Sequence, residues 1–181
     1  IARWFEYATF CPVLRLHGCR NPWNETHEEN EEPISGAGIC GTGAPNEIWS
    51  YGEENEKIFT KYIFIRERLK PYIKELMAQA HTVGTPPMRP LFYDYPSDES
   101  AWSIDDEFMF GSDLLVAPVI YENEYSRNVY LPKSEDKWIN VWTGEAFVGN
   151  QTVKCDAPLD KIPLFIKENG KLDRKLFLGD K

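Results

Sequence analysis

Histidine, methionine and cysteine are scarce in this sequence, at three, three and four of 181 residues. His17, His27 and His81 lie too far apart in the chain to make a zinc or iron site, which needs clustered ligands, so neither a metal nor a cofactor is expected. Cys11, Cys19, Cys40 and Cys155 show no CxxC spacing. A Cys19–Cys40 disulfide is one reading, but nothing signals secretion, so free thiols are the expectation and the cytoplasm is the favoured compartment. No apolar run approaches the ~20 residues of a membrane span, and none resembles a signal peptide. Basic residues are also in deficit: 20 Lys and Arg face 29 Asp and Glu, for a net charge of −9 and a pI near 4.9. That balance speaks against a nucleic-acid backbone or an anionic membrane as partner and suits a neutral ligand.

What is present is a good supply of core-forming residues, 42% hydrophobic and 14% aromatic. The first residues, "IARWFEYATF", read as a helix already in progress over residues 1–11, stopped by Pro12. This gives the expectation of a fragment cut from a longer chain. "VLRLHG" follows as a strand, with Val13, Arg15 and His17 on one face and Leu14 and Leu16 on the other. Two settings fit that alternation. One is a surface strand with its leucines in a core, and the other is a barrel strand whose inner face turns polar where ligands bind.

Residues 19–51 are an irregular stretch rich in Asn, Glu, Gly and Pro. Within it "GAGICG" matches a dinucleotide fingerprint at Gly36, Gly38 and Gly41. No strand leads into it and Pro45 follows where a helix should open, so it reads as a plain glycine-rich loop. Glu25, Glu28, Glu29, Glu31 and Glu32 read as a solvated acidic loop rather than cation ligands.

From Glu53 the period changes. Ile58, Tyr62, Ile65, Leu69, Tyr72, Leu76 and Ala80 step by three or four, the stripe of an amphipathic helix ending at Gly84. Pro71 predicts a kink, or two helices with Pro71 in the first turn of the second. Lys57, Lys61, Arg66, Glu67, Lys70, Lys74 and Glu75 read mostly as its wet face, and His81 as a structural residue of the last turn. After Met88, short runs such as "EFMFG", "LLVAPVI", "RNVYLP" and "KWINVWTG" predict an antiparallel β-sandwich or barrel. In "KWINVW", Trp138, Asn140 and Trp142 share a face. The tail "KLDRKLFLGDK" has no assignment.

"RWFEYATFCPVLRLHG", "YGEE", "YIFIRERLKPYIKELMAQAHTVGTPPMRPLFYDYP", "DDEFMFGSDLLVAPV", "YLP" and "WTGE" resemble, in that order, glycoside hydrolase family 31, whose members include α-glucosidases and α-xylosidases. The resemblance runs over residues 1–170. It implies an α/β plus all-β chain: the last β/α unit of a (β/α)8 TIM barrel, then an antiparallel β-sandwich C-terminal domain. Residues 1–85 would be the barrel end, 86–172 the sandwich and 173–181 a tail. The implied activity is retaining hydrolysis of an α-xyloside or α-glucoside.

His17 corresponds to the family's histidine at the end of the eighth strand, which hydrogen-bonds sugar hydroxyls. An imidazole at that mouth can both donate and accept. The residue-level alternative is a histidine bonded to a loop carbonyl. Arg15, deeper on the same face, is expected to pair with a barrel carboxylate. Trp23 and Trp49, on the long insertion, either stack on a sugar or pin the loop.

A retaining mechanism needs two carboxyls ~5–5.5 Å apart, and the family's two aspartates have no counterpart here. The isolated fragment is therefore expected to be inactive. Asp94, Asp105, Asp106 and Asp113 are not promoted to that role, and the "DD" before "EFMFG" is expected to orient the sandwich against the barrel. Two alternatives remain: a carbohydrate-binding sandwich using Trp102, Trp138 or Trp142, and a purely structural domain. A barrel cut at this point would expose apolar helix surface and is expected to oligomerise through it.

Overall fold

The computed structural model describes residues 1–16 and 47–179 of the chain. Helix α1 (Ala2–Thr9) is shorter than the sequence suggests. The amides of Phe10 and Cys11 turn back to the carbonyls of Tyr7 and Ala8, which tightens the last turn, and Pro12 brings no N–H to continue it. Residues 13–16 form no strand among the described residues. Leu14 packs against the helical core as the alternation requires, with Val13 and Arg15 exposed, but Leu16 is exposed as well. A ladder needs a neighbouring strand, and none among the described residues lies beside this segment.

Helix α2 (Glu53–Val83) buries the expected stripe from Ile58 to Leu76. Glu53, Glu54 and Glu56 occupy its first turn, where negative charge is favoured. Gly84 ends it with φ +77°, donating its amide back to the Ala80 carbonyl at 3.2 Å. The helix is continuous through the exposed Pro71, so the two-helix alternative does not hold. Leu69 and Tyr72, buried on either side of the proline, hold the helix in register while one main-chain hydrogen bond is lost.

The remainder is mostly antiparallel sheet with a few single helical turns, as expected from the density of β-branched and aromatic residues. A six-stranded sheet runs in the order β1 (Met88–Pro90), β2 (Phe108–Phe110), β3 (Leu114–Val116), β8 (Leu164–Lys167), β5 (Trp138–Asn140) and β6 (Ala146–Phe147). Strands β4 (Ser126–Leu131) and β7 (Gln151–Asp156) pair separately in register from Ser126 with Asp156 to Leu131 with Gln151. Phe108, Phe110, Leu114, Val116, Leu164 and Ile166 face α1 and α2 in one core. Their neighbours Met109, Leu115 and Phe165 face the β4–β7 ribbon in a second core with Val129, Leu131, Val153 and Cys155. The six-stranded sheet is thus the middle of three layers, and β2 and β3 are apolar at every position because both faces are covered.

A set of polar contacts ties α2 to the sheet. The Tyr62 hydroxyl accepts from the Ile162 amide at 3.0 Å and donates to the Asp160 carbonyl at 3.2 Å. The Lys61 ammonium binds Asp160 at 2.9 Å. Tyr72 donates to the Phe110 carbonyl at 2.9 Å, and its hydroxyl fills the space a side chain at Gly111 (φ +69°) would need. The tail forms a one-turn helix, α3 (Lys175–Leu178), that returns to α2: Phe177 is buried, and the Arg68 Nε donates to the Leu176 carbonyl at 2.6 Å.

Candidate functional site

Of the three candidate sugar contacts, His17 and Trp23 lie outside the described residues. So do Cys19, Cys40, the GAGICG stretch and the run from Glu25 to Glu32. Trp49 is described. It sits in a single 3-10 turn, Ile48–Tyr51, whose Ile48 and Tyr51 pack on the core, while Trp49 itself is 64% exposed. That turn is seated on α2, with the Tyr51 ring edge-on to Phe59 at 5.7 Å. Among the described residues Arg15 makes no ion pair, so its expected carboxylate partner is not one of them.

The segment leading toward His17 is held from α2. Phe10 is fully buried, edge-on to Tyr62 at 6.3 Å. Four residues further along α2, the Arg66 guanidinium donates to three carbonyls in succession: Thr9 at 2.6 Å, Cys11 at 2.8 Å and Pro12 at 3.0 Å. Carbonyls at a helix C-terminus have no intrahelical donor and carry partial negative charge, so one guanidinium both satisfies and neutralises them. In the sequence Arg66 reads as part of the wet face of the helix. Its position one turn after Tyr62, beside the buried stripe, was the available signal.

A concavity of about 750 Å³ opens between α1 and the β1–β2 edge, lined by Trp4, Tyr7, Met88, Phe108, Val119 and Tyr121 with Asp105, Asp106 and Glu107. Its carboxylates are mostly committed. Arg127 binds Asp106 at 2.8 Å and Glu107 at 3.1 Å, and Glu107 also accepts from the Tyr130 amide at 2.9 Å. Burial raises the Glu107 carboxyl to about 7, against the pull of the Tyr130 amide and Arg127. Glu6, buried on α1 and 3.2 Å from Arg3, is likewise raised by burial to about 7.

Asp94 pairs with Arg89 at 2.9 Å, and Asp113 is a buried residue of the β2–β3 turn. Asp106 therefore braces the sandwich internally, toward β4. Arg3 ties α1 to the sandwich, donating to the carbonyls of Ala157 at 2.6 Å, Pro158 at 3.1 Å and Glu124 at 3.1 Å. No group of three His, Cys, Asp or Glu among the described residues is placed to hold a metal ion.

The sandwich tryptophans are mostly structural. Trp138 is fully buried and donates to the Pro132 carbonyl at 2.9 Å. Trp142 donates to the Ile162 carbonyl at 2.6 Å, with the Lys61 ammonium 4.6 Å from its ring centre. Asn140, between them, accepts from the amides of Trp142 and Thr143 and shapes the turn. Trp102 is exposed, but its indole stacks on Phe92 at 4.7 Å. Cys11 and Cys155 are free thiols, and burial raises both.

A family model described as glycosyl hydrolase family 31 C-terminal domain matches residues 84–170. The chain is 34% identical over 173 residues to alpha-glucosidase 2 of Bacillus thermoamyloliquefaciens, covering 95% of this chain and 19% of that protein. It is 34% identical over 170 residues to an alpha-xylosidase of Saccharolobus solfataricus, covering 94% of this chain and 20% of that protein. Among solved structures it is similar to a family 31 alpha-xylosidase from a soil metagenome complexed with xylose. That likeness has a TM-score of 0.84 and 47% identity and covers 98% of this chain and 25% of the other. A xylosidase from Aspergillus niger aligns with a TM-score of 0.79 at 32% identity, over 97% and 24% of the two chains. The chain spans about a fifth of the length of the curated relatives it matches.

Proposed function

The chain belongs to glycosyl hydrolase family 31, and from that membership we propose that it is the C-terminal part of a retaining α-glycosidase acting on an α-xyloside or α-glucoside. Residues 1–85 would supply the end of a (β/α)8 barrel, with α2 as its eighth helix and residues 13–18 becoming its eighth strand when further barrel strands pair with them. Residues 86–172 are the sandwich that braces it, and residues 173–181 are a tail. One observation carries the reading: 98% of the chain aligns, at 47% identity, with an α-xylosidase complexed with xylose.

In this arrangement His17 faces the sugar at the barrel mouth and hydrogen-bonds vicinal hydroxyls through its two ring nitrogens. Trp23 and Trp49 border the same mouth, and the exposure of Trp49 suits stacking on a sugar face. Retaining hydrolysis uses two carboxyls flanking the anomeric carbon. One attacks to form a glycosyl-enzyme, and the other protonates the departing oxygen and then deprotonates the incoming water. Those carboxyls come from outside this chain. The committed ion pairs of Asp94 and Asp106 support that assignment.

The apolar residues exposed on α1 and α2, Trp4, Ile63, Phe64 and Met77, suit contact with further barrel elements. On its own the chain is expected to self-associate through that surface.

The 181-residue polypeptide is expected to release no p-nitrophenol from p-nitrophenyl α-xyloside or α-glucoside above the blank. The full natural polypeptide that contains it is expected to hydrolyse at least one of them. Turnover by the 181 residues alone, or none by the full polypeptide on either substrate, contradicts the proposal.

A further inference from the structure

We infer that Arg66 is a positioning residue for the sugar-facing segment: it couples α2, anchored in the sandwich, to the stretch of chain that ends at His17. The inference rests on the glycosidase reading above and names a part of its machinery.

Residues 13–16 have no strand partner among the described residues, and of their side chains only Leu14 packs into the helical core. Something else must fix where this segment leaves α1. Arg66 does so with three hydrogen bonds at 2.6, 2.8 and 3.0 Å, to the carbonyls of Thr9, Cys11 and Pro12. These carbonyls span the end of α1 and the residue before Val13. A planar guanidinium with five donors in a fixed fork can hold several carbonyls at once, whereas a lysine ammonium is a point charge on a flexible stem.

The helix carrying Arg66 is itself immobilised on the sheet side. Tyr62 and Lys61 grip the 160–162 turn, Arg68 grips the tail, and Tyr72 grips the β2–β3 turn. Arg66 is therefore the last link in a rigid path from the sandwich, through α2, to the segment that precedes His17. This gives the sandwich a task in catalysis although it holds no catalytic residue: it sets the position of the barrel rim. Sugar hydroxyls demand close alignment, and displacement by about 1 Å from a site remote from the chemistry can cost about 10²-fold in rate.

The test uses the full natural polypeptide with Arg66→Ala and Arg66→Lys. Hydrogen–deuterium exchange of residues 10–16 is expected to speed up about tenfold in Arg66→Ala and less in Arg66→Lys, with exchange in β3 and β8 unchanged. On the better p-nitrophenyl α-glycoside, Arg66→Ala is expected to lose about 10²-fold in kcat/KM, Arg66→Lys to recover part of it, and millimolar guanidinium to rescue Arg66→Ala. Exchange unchanged at residues 10–16 overturns the inference. Faster exchange with kcat/KM intact also overturns it, since the grip would then not serve the reaction. A loss matched by faster exchange throughout β3 and β8 assigns Arg66 to global stability and overturns it as well. A wild-type polypeptide inactive on both substrates refutes the glycosidase reading, and the exchange arm then still reports whether the grip exists.

Discussion

Replacing Arg127 with methionine is expected to cost the 181-residue chain about 3–5 kcal/mol of folding stability at pH 8. The Arg127 side chain is 7% exposed, and that of Glu107, which it binds, is 2% exposed. Its Nη2 donates to Glu107 at 3.1 Å and lies 2.8 Å from Asp106, while Nη1 donates to the carbonyls of Asp106 and Pro118 and Nε to that of Asn128. Methionine keeps most of the aliphatic packing and removes every one of these donors. The ionised Glu107 is then buried with only the Tyr130 amide for company. A buried charge deprived of its partner costs far more than the pair was worth, because the desolvation penalty stays when the attraction goes. At pH 5 Glu107 is protonated in the folded variant and the loss is expected to shrink. Urea unfolding of both proteins at pH 5 and pH 8, at matched protein concentration, measures the difference. A loss below about 1 kcal/mol at pH 8 would mean that solvent reaches Glu107.

Stability of the unmodified chain is expected to fall as pH rises from 5 to 8. Glu6 and Glu107 are both pushed by burial from 4.5 to about 7 in the folded state. Below about 4.5 both states hold these protons and the contribution is fully present. Between about 4.5 and 7 the unfolded chain releases protons that the folded chain retains, so the equilibrium shifts toward unfolding. Above about 7 the contribution is gone. A shift of this size corresponds to something on the order of 3 kcal/mol for each carboxyl. Asp94, raised by burial despite Arg89, acts in the same direction. Asp160 opposes it: although its own burial pushes upward, Lys61 holds it below the usual carboxylate range, so its effect falls at more acidic pH. Glu107→Gln is expected to flatten the decline by about half. A urea midpoint that rises with pH over this interval contradicts the assignment.

The large features of this fold were legible because they follow from period. The stripe from Ile58 to Leu76 specified α2, Gly84 its end, and the alternation and turn residues after Met88 an antiparallel sheet. What escaped was long-range pairing. "VLRLHG" has a strand's pattern, yet a pattern cannot supply the partner strand, and residues 13–16 stand without one among the described residues. The tail gave no periodic signal because its helix is a single turn, fixed by Phe177 in the core and Arg68 on its carbonyl.

The charged residues show the same limit. Lys61, Arg66 and Arg127 look like solvated side chains in sequence, since nothing local reveals that Asp160, the end of α1 or Glu107 will face them. For the candidate site, Trp49 reads in sequence either as a sugar-stacking residue or as a pin for the loop, and its exposure does not choose between them; the grip on the end of α1 by Arg66 has no local sequence signal. The "DD" pair reads in sequence as orienting the sandwich against the barrel; what the sequence does not reveal is that Asp106 also pairs with Arg127 of β4 and that Arg3 ties α1 to the sandwich.

Every functional step rests on one geometric idea: this chain closes a sugar-cleaving barrel and places His17 at its mouth. The most direct test is kcat/KM for p-nitrophenyl α-xyloside and α-glucoside in the full natural polypeptide with His17 replaced by alanine, alongside its thermal midpoint. The expected result is a loss of about 10²-fold or more on the preferred substrate with the midpoint essentially unchanged. A variant that retains wild-type kcat/KM on both substrates would contradict the account.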